Sequence, residues 1–311
     1  MAAIRKKAVG NNTYYYLEHS YREGGRVRKK EKIIGKDLPP NIEELKQEYT
    51  AQSIAQIYQE KWLDRFDKIK VEYHHQKKLT PQSAQDKETE IFAIRFTYDT
   101  NRIEGSTLTL RDTANLLEKG ITPNAKPIND VKEAEAHKNA FYEMLDYQKD
   151  LSLNTILYFH KKLFENTKAD IAGIIRAHQV AISGSRSMPP FPAEVYPLLM
   201  EFFEWYTKNK NTMHPVHLSA LVHLKLVTIH PFADGNGRIS RLMMNFVLYR
   251  HGYPMLNIHY ENRTGYYNAL EKSQTKEDEN KFLQWFFKRY LAEHRQYITD
   301  TITKLNTNDI P

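Results

Sequence analysis

The stretch that decides the fold is HPFADGNGRISR, residues 230–241, which lies between two apolar segments. ALVHLKLVTI precedes it and LMMNFVLY follows it, and both segments are typical of buried helices. A short polar loop between two buried helices must hold its side chains close to the core. The chemistry that these side chains support therefore bears directly on function.

The loop contains the parts of an anion-binding site. Gly235 and Gly237 have no Cβ, so the backbone can turn sharply and approach a ligand closely. A helix is expected to begin near Gly237, and its free N–H groups and positive dipole end favour an anion. Arg238 and Arg241 lie three residues apart on that first turn and can donate to phosphate oxygens.

Two further residues of the loop add a metal ligand and a base. Asp234 supplies one hard oxygen, and Mg²⁺ is commonly held by one carboxylate together with substrate phosphates and water. His230 ends the preceding helix and can accept a proton near neutral pH. Taken singly, each residue is more often structural. Their combination in twelve residues predicts a magnesium–nucleotide site with a base beside it.

The same residues resemble the signature of the Fic (filamentation induced by cAMP) family, H-P-F-x-[DE]-G-N-G-R-x-x-R. All specified positions are filled, by His230, Pro231, Phe232, Asp234, Gly235, Asn236, Gly237, Arg238 and Arg241. The resemblance extends over about residues 85–290 and includes GYYNALEKS at 265–273. It implies a mainly α fold, a Fic-type helical bundle with a short β-hairpin flap.

The resemblance implies a protein adenylyltransferase, which transfers AMP from ATP to a hydroxyl side chain of a target protein. ATP is then the substrate and Mg²⁺ the cofactor. His230 would deprotonate the hydroxyl, and Asp234 would hold the Mg²⁺ that bridges the α- and β-phosphates. Phe232 would point inward as a core anchor.

The remaining loop residues are implied to bind the phosphates. The backbone of Gly235, Asn236 and Gly237 would form the anion hole, with Asn236 at the α-phosphate. Arg238 would bind the β-phosphate and Arg241 the γ-phosphate. Phosphorylating relatives, typified by the Doc toxin, carry Lys where this chain has Gly237, so the loop favours nucleotidyl transfer over phosphoryl transfer.

Two other segments are matched to the family by position. AHQVAISGSRSMPP, preceded by Gly173 and Arg176, lies where a β-hairpin flap binds the target as an added strand, and we expect the target at Val180, Ala181, Ile182, Ser183 and Gly184. Tyr267 is the candidate for stacking on adenine. Gln274 stands where some relatives use Asn to hydrogen-bond the base, and it can make the same paired contact.

The segment TYDTNRIEGSTL, residues 97–108, predicts an inhibitory element. Gly105 marks the end of a helix, so Glu104 lies at the negative end of the helix dipole, where a carboxylate needs a cation partner. Thr100 and Glu104 share one helical face. They match the family's inhibitory motif, [S/T]-x-x-x-E-[G/N], in which the glutamate pairs with the second arginine of the loop, here Arg241, and keeps the γ-phosphate from seating productively.

Composition limits the class of protein. The 311 residues include no cysteine, which excludes disulfides and thiolate metal sites. No apolar run has the length of a membrane span and the N-terminal residues show no signal-peptide pattern, so we expect a cytoplasmic protein without membrane contact. The net charge is +7, and residues 1–36 alone hold ten Lys and Arg against three acidic residues. A basic surface would therefore belong to this segment.

We divide the chain into four parts. Residues 1–38 form a basic segment with a β-hairpin around Gly24-Gly25, residues 39–84 a helical extension, and residues 85–290 the Fic domain with its inhibitory helix at about 85–105 and its catalytic loop at 230–241. Residues 291–311 complete a C-terminal helix. Within these parts, apolar spacing predicts helices near 84–103, 110–118, 129–147, 153–166, 192–208, 215–229, 237–251 and 278–304.

Other functions and partners remain open on the sequence alone. The same fold also supports de-AMPylation or phosphoryl transfer. A third class is a non-catalytic protein that binds nucleic acid or a partner through its basic N-terminal hairpin, although packing of that hairpin on the main body is the more ordinary interpretation. The target protein is not identified by any residue, and relatives allow self-modification and a homodimer.

Overall fold

A computed structural model describes residues 2–23, 26–182 and 184–298. It divides into two compact units, residues 1–67 and residues 68–311. The boundary between these units falls within a helix and coincides with neither of the domain limits predicted near residues 38 and 84. Those limits stay predictions.

The first unit contains a three-stranded antiparallel sheet in the order β1-β2-β3. Its strands are β1 (Ala3–Val9), β2 (Asn12–Glu23) and β3 (Arg26–Gly35). Two strands were predicted here, and β1 was missed because AIRKKAV is charged and exposed along almost its whole length. The predicted Gly24-Gly25 turn lies outside the described residues. Leu17 of β2 is buried with Ala2 and Tyr49, so one side of the sheet packs against the helix that follows.

The helices that follow the sheet are α1 (Ile42–Tyr58), a π-helical segment (Gln59–Leu63) and α2 (Asp64–Leu79). The N-terminal half of this run completes the first unit. Acidic residues Glu43 and Glu44 lie in the first turn of α1, where they interact favourably with the helix dipole.

The second unit is helical, as the resemblance implies, so the mainly α fold is confirmed. Its helices are α3 (Gln82–Ile103), α4 (Leu110–Lys119), α5 (Ile128–Asp146), α6 (Leu153–Phe164), α7 (Pro192–Asn209), α8 (Pro215–Ile229), α9 (Asn236–Arg250), α10 (Arg263–Lys276) and α11 (Glu279–Glu293). Short 3-10 turns lie at Tyr260–Asn262 and Arg295–Tyr297.

Helices α8 and α9 form the centre of this unit. Most residues of α8 and every residue of α9 from Asn236 to Leu248 are buried, which is typical of helices surrounded on all sides. α3, α5 and α6 pack on α9, while α7 and α11 pack on α8. The loop between α8 and α9 therefore lies where α3, α5 and α6 can reach it.

Three predicted elements differ from the structure. The helix predicted over 278–304 ends at Glu293, after which the chain turns at Arg295–Tyr297, and residues beyond 298 lie outside the description. α10 was not predicted as a helix, since its polar, alternating pattern lacks a clear apolar stripe. Residues 180–182 and 184–190 form no strands, so the predicted hairpin is a turn closed by Ser185 N donating to Ile182 O.

The described residues of the flap, 180–182 and 184–190, lack a strand ladder for a physical reason. Arg176 donates from Nη1 to His178 O and from Nη2 to Pro190 O, at 3.0 and 2.6 Å. One guanidinium thus holds the two ends of the segment through carbonyls that cross-strand pairing would otherwise use. Pro189 and Pro190 also have no N–H to donate. Within the described residues, no helix has the length and apolarity that a membrane crossing requires.

Candidate active site

The loop between α8 and α9 is shaped by two residues in the left-handed region. His230 ends α8 with φ of 52°, and Gly235 precedes α9 with φ of 78°. A Cβ on Gly235 would lie 2.4 Å from Cε2 of Phe164, so this position accepts no side chain. The tight turn brings the start of α9 directly after the loop, with the first N–H groups of the helix at its open end.

Asn236 fixes the loop rather than extending from it. Its Oδ1 accepts from Phe232 N and its Nδ2 donates to Phe232 O, both at 2.8 Å. Asn236 was predicted to lie at the α-phosphate. Because its side chain is hydrogen-bonded within the loop, its backbone N–H is the group left to contact a ligand. Phe232 is fully buried, as expected of a core anchor, and its ring stacks on His160 with a centroid distance of 3.8 Å.

His160, on α6, stacks on Phe232 and hydrogen-bonds to the backbone of the loop. Its Nδ1 accepts from Gly173 N at 2.9 Å, so its Nε2 carries the proton and donates to Asp234 O at 3.0 Å. Burial lowers the pKa of His160 to about 4, which keeps this tautomer uncharged. The sequence analysis missed His160. A histidine on the apolar face of α6 was the available signal.

His230 is held as a neutral base. Its Nδ1 lies 3.1 Å from Val227 O, and because a carbonyl only accepts, Nδ1 carries the proton and Nε2 keeps its lone pair. Burial lowers the pKa of His230 below its ordinary value, although the bond to Val227 and the charge of Glu104 act in the opposite direction. Arg176 Nε donates to His230 O at 2.7 Å and fixes the backbone.

His230 opens onto a cavity of about 520 Å³. The walls come from α3, the flap, α8, α9 and α10, and they include Glu104, Ile182, Gly184, His230, Gly237, Arg241, Tyr266, Tyr267 and Gln274. The predicted base, one loop arginine, the inhibitory glutamate and the predicted nucleoside residues thus meet around one space, whereas Asp234 and Arg238 do not line it. The predicted flap residue Ser183 lies outside the described residues, and Val180 and Ala181 do not line the cavity.

Arg241 is bound on three sides within the protein. Its guanidinium is 1% exposed and donates to Thr100 Oγ1 at 2.7 Å, to Thr100 O at 3.1 Å and to Glu104 Oε1 at 2.7 Å. Nη1 lies 3.3 Å from the hydroxyl of Tyr266. The two residues singled out on α3, Thr100 and Glu104, therefore both contact the second arginine of the loop.

The end of α3 presents Glu104 to the loop. Glu104 is the first residue after the helix, and Gly105 adopts φ of 101°, a conformation that favours glycine. A Cβ on Gly237 would lie 2.1 Å from Glu104 Oε1, so the carboxylate packs directly on the bare backbone of the loop. A carboxylate at the negative end of a helix dipole needs a cation partner, and Arg241 is that partner.

Arg238 and Asp234 belong to a separate group of charges. Arg238 Nη1 donates to Glu133 of α5, and Arg238 Nη2 lies 3.2 Å from Asp234 Oδ1. Lys168 Nζ lies 2.6 Å from Asp234 Oδ2 and 3.0 Å from Glu133 Oε1. Burial raises the pKa of Asp234, but the charges of Arg238 and Lys168 outweigh it, so the carboxyl stays ionised.

This charged group lines a second, polar cavity of about 180 Å³. Glu104 and Gly105 line both cavities, which makes the end of α3 their shared wall. Glu133 and Lys168 were missed in the sequence analysis. They lie outside the signature, on α5 and after α6, and only the fold brings them to Asp234.

The carboxylate of Asp234 has the donor chemistry of a site for a hard cation. Its Oδ2 already faces a positive charge, the ammonium of Lys168. A divalent ion such as Mg²⁺ fits these residues, because the position accepts a cation and supplies a hard oxygen.

The two residues assigned to the nucleoside lie at the other end of the larger cavity. Tyr267 is 45% exposed, and its hydroxyl donates to Ile103 O at 2.9 Å, at the end of α3. Gln274 donates to Thr228 Oγ1 at 3.0 Å, so its amide oxygen is turned away from that partner. Tyr267 thereby connects α10 to the end of α3, directly before Glu104.

The fold and loop define a helical domain that presents glycine amides, two arginines and a neutral histidine around two neighbouring cavities. The Fic/DOC family model matches residues 150–248. Over 178 residues the chain is 35% identical to the protein adenylyltransferase Fic of Drosophila melanogaster and to that of Drosophila sechellia. Each match covers 56% of this chain and 36% of the relative, so the chain spans about a third of the length of these curated relatives.

Solved structures extend the similarity beyond the loop. A Fic domain containing signaling protein from Bacteroides thetaiotaomicron is 28% identical, with a TM-score of 0.65 over 74% of this chain and 95% of its own. A fragment of Fic-1 from C. elegans is also 28% identical, with a TM-score of 0.67 over 84% of this chain and 77% of its own. Residues 150–248 of this chain thus match the Fic/DOC family model, and the fold around them is similar to that of solved Fic proteins.

Proposed function

We propose that this chain is a protein adenylyltransferase that transfers AMP from ATP to a hydroxyl of a target protein and is held in a low-activity state by Glu104. The observation that carries the proposal is the common cavity of His230, Gly237 and Arg241. It combines a base, a helix N-terminus and a guanidinium around one space. The name of the Drosophila relatives, protein adenylyltransferase Fic, supports the same reaction.

In the proposed reaction the target hydroxyl oxygen attacks the α-phosphorus of ATP. The bond from that phosphorus to the bridging oxygen breaks, pyrophosphate leaves, and the hydroxyl proton passes to His230 Nε2. His230 suits this role because its Nδ1 is already used on Val227 O, so the free lone pair is on Nε2. Bound Mg²⁺ supplies positive charge beside the phosphates, and Asp234 is the residue that would hold it.

The loop binds and orients the triphosphate. The N–H groups of Asn236 and Gly237, at the start of α9, face the developing negative charge. Arg238 and Arg241 neutralise the outer phosphates once they exchange their present carboxylate partners for phosphate oxygens. Tyr267 and Gln274 hold the nucleoside. Nucleotidyl transfer depends mainly on such positioning and charge neutralisation.

Glu104 inhibits by occupying Arg241. Their contact at 2.7 Å uses the guanidinium that the γ-phosphate needs, and the carboxylate itself repels that phosphate. Thr100 assists because it receives two further N–H donations from Arg241. ATP therefore binds productively only when the end of α3 moves or the carboxylate is removed.

The target peptide is proposed to lie along the flap. The described residues of 180–184 are not part of a strand ladder, so their backbone groups are suited to pair with an extended segment of a partner. Ile182 and Gly184 line the cavity and would bring the hydroxyl of such a segment toward His230.

The experiment compares wild type, Glu104→Gly, His230→Ala and the double variant in a cell lysate with Mg²⁺ and ATP labelled on the α-phosphate. We expect weak labelling by wild type, at least about tenfold more by Glu104→Gly, and none by either His230→Ala protein. ATP labelled on the γ-phosphate is the control for phosphoryl transfer. Equal labelling by all four proteins would contradict the proposal.

The reverse reaction is a second candidate, because Glu104 and His230 line the same cavity and could together position and activate water. A target labelled by Glu104→Gly would then lose its AMP when wild type is added. His230→Ala is the control, and a label that remains stable in the presence of wild type excludes this reaction.

A further inference from the structure

Four charged side chains form a closed ring of alternating sign around the loop. In order they are Asp234, Lys168, Glu133 and Arg238, and each contacts the next by an ion pair. Two negative and two positive groups make the ring electrically neutral. Of these, Lys168 and Glu133 lie outside the signature that the sequence analysis used.

The two oxygens of Asp234 have different partners. Oδ1 accepts from Gly235 N at 2.5 Å and lies 3.2 Å from Arg238 Nη2, so it is used within the loop and α9. Oδ2 has Lys168 Nζ at 2.6 Å. The oxygen that a metal ion would use is therefore the one that the ammonium contacts.

An ammonium and a divalent cation on this same oxygen would place two positive centres close together. A metal ion within about 2.1 Å of Oδ2 would lie so near to Nζ that the two positive charges repel strongly. The ion would also add two positive charges to a neutral ring. If Lys168 moves into solvent, the excess falls to one charge, which a triphosphate easily outweighs.

Lys168 is able to move. It follows α6 in a turn in which its own N–H donates to Phe164 O at 2.8 Å, so its backbone is fixed. Its side chain is 36% exposed, which allows the ammonium to swing into water on its flexible stem. Arg238, by contrast, is 4% exposed and has no such path.

We propose that Lys168 is an internal cation that occupies the metal position at Asp234 and must be displaced before a divalent ion binds. The proposal rests on the proposed function and extends it, because it makes Lys168 a positioning residue. Lys168 sets the concentration of divalent ion at which the site is filled. Without a metal ion, Lys168 forms an ion pair with both Asp234 and Glu133. Metal–nucleotide binding then has to replace one cation by another.

The test measures Mn²⁺ binding to the nucleotide-free protein by the electron paramagnetic resonance signal of the free ion. We expect Lys168→Met, which keeps the length of the stem, to bind Mn²⁺ on the order of tenfold tighter than wild type. Lys168→Arg, which keeps the charge, should bind as weakly as wild type. Lys162→Met is the matched control, because Lys162 lies on α6 and pairs with Glu143, at 3.9 Å, away from Asp234.

Two results would overturn the proposal. One is Mn²⁺ binding by Lys168→Met that is equal to or weaker than that of wild type, which would mean that the ammonium does not compete with the metal. The other is a gain that persists when Asp234→Asn is added, which would put the ion elsewhere. If Lys168→Met does not fold, Lys168→Gln gives the same comparison. This binding assay involves no AMP transfer, so its outcome is separate from that of the proposed activity.

Discussion

Glu104 and Arg241, 137 residues apart in the chain, form an ion pair of 2.7 Å between Oε1 and Nη2. Arg241 is almost completely buried, and Glu104 supplies the carboxylate that faces it. A buried guanidinium without such a partner is costly, so the pair stabilises the end of α3 against α9. The same contact that we propose to inhibit transfer is thus also a structural contact.

The first prediction concerns the stability of this pair. Glu104→Gln keeps the size of the side chain but removes its charge, so the free energy of unfolding should fall by about 2 to 4 kcal/mol in the absence of ligand. ATP with Mg²⁺ should raise the melting temperature more in this variant than in wild type, because phosphate then replaces the lost carboxylate. Urea denaturation measures the first effect, and differential scanning fluorimetry with and without ATP and Mg²⁺ measures the second.

A surface pair provides the control for this measurement. Lys87 and Glu118 lie 3.4 Å apart at the surface, where solvent screens the pair, so Glu118→Gln should lower the free energy of unfolding far less than Glu104→Gln does. Equal losses in the two variants would mean that the burial of Arg241 does not matter. An equal response to ATP in wild type and Glu104→Gln would contradict the competition between carboxylate and phosphate.

The second prediction concerns the pH dependence of transfer. Burial lowers the pKa of His230 below its ordinary value of about 6.5, so the base remains neutral through neutral pH and becomes protonated only in more acidic solution. The rate of AMP incorporation by Glu104→Gly should therefore be flat between about pH 7 and 8 and fall only below about pH 6.5. Initial rates at constant ionic strength check this. A rate that keeps rising tenfold per unit through neutral pH would contradict a neutral His230.

The loop could be predicted from sequence because its residues act over short distances. Gly235, Asp234 and Arg238 follow one another within a single turn, so their spacing alone puts them at one helix N-terminus. Thr100 and Glu104 could be predicted because i and i+4 share a helical face. The pairing of Glu104 with Arg241 came from the resemblance and not from the spacing.

The rest of the site depends on tertiary packing. Lys168, Glu133 and His160 contact the loop from three places on α5, α6 and the turn after α6, and no local pattern marks them. The segment AHQVAISGSRSMPP was predicted to be a β-hairpin flap from its position in the family resemblance. Arg176 competes for its carbonyls, and that competition is visible only in three dimensions.

The third prediction concerns His259, which lies between two carboxylates. Its Nδ1 is 3.2 Å from Asp99 on α3 and its Nε2 is 3.2 Å from Glu293 on α11. The hydrogen bonds to these two carboxylates raise the pKa of His259 to about 9. Its contribution to stability is therefore complete below about pH 6.5 and is lost as the pH rises through about 9.

His259→Gln tests this pH dependence. The variant should be less stable than wild type by about 1 to 3 kcal/mol at pH 6, and the difference should shrink toward zero at pH 10. Urea unfolding of both proteins at each pH gives the difference in their free energies of unfolding. Other groups that titrate at alkaline pH affect both proteins alike, so their contributions cancel. A difference that stays constant from pH 6 to pH 10 would mean that the charge of His259 contributes nothing.

The fourth prediction concerns Gly235, the residue on which the turn into α9 depends. Its φ of 78° strains any other residue, and an added Cβ would in addition lie 2.4 Å from the ring of Phe164. Gly235→Ala should therefore lower the free energy of unfolding by about 3 kcal/mol or more, the sum of backbone strain and overpacking. Gly120→Ala is the matched control, because Gly120 has φ of 67° but nothing within 4 Å of the added Cβ, and it should cost only about 1 kcal/mol. Urea denaturation of the two variants separates the backbone strain from the overpacking against Phe164. Equal losses in the two variants would show that Phe164 shifts to accommodate the methyl group. The packing of Phe164 against the loop would then not determine the shape of the loop.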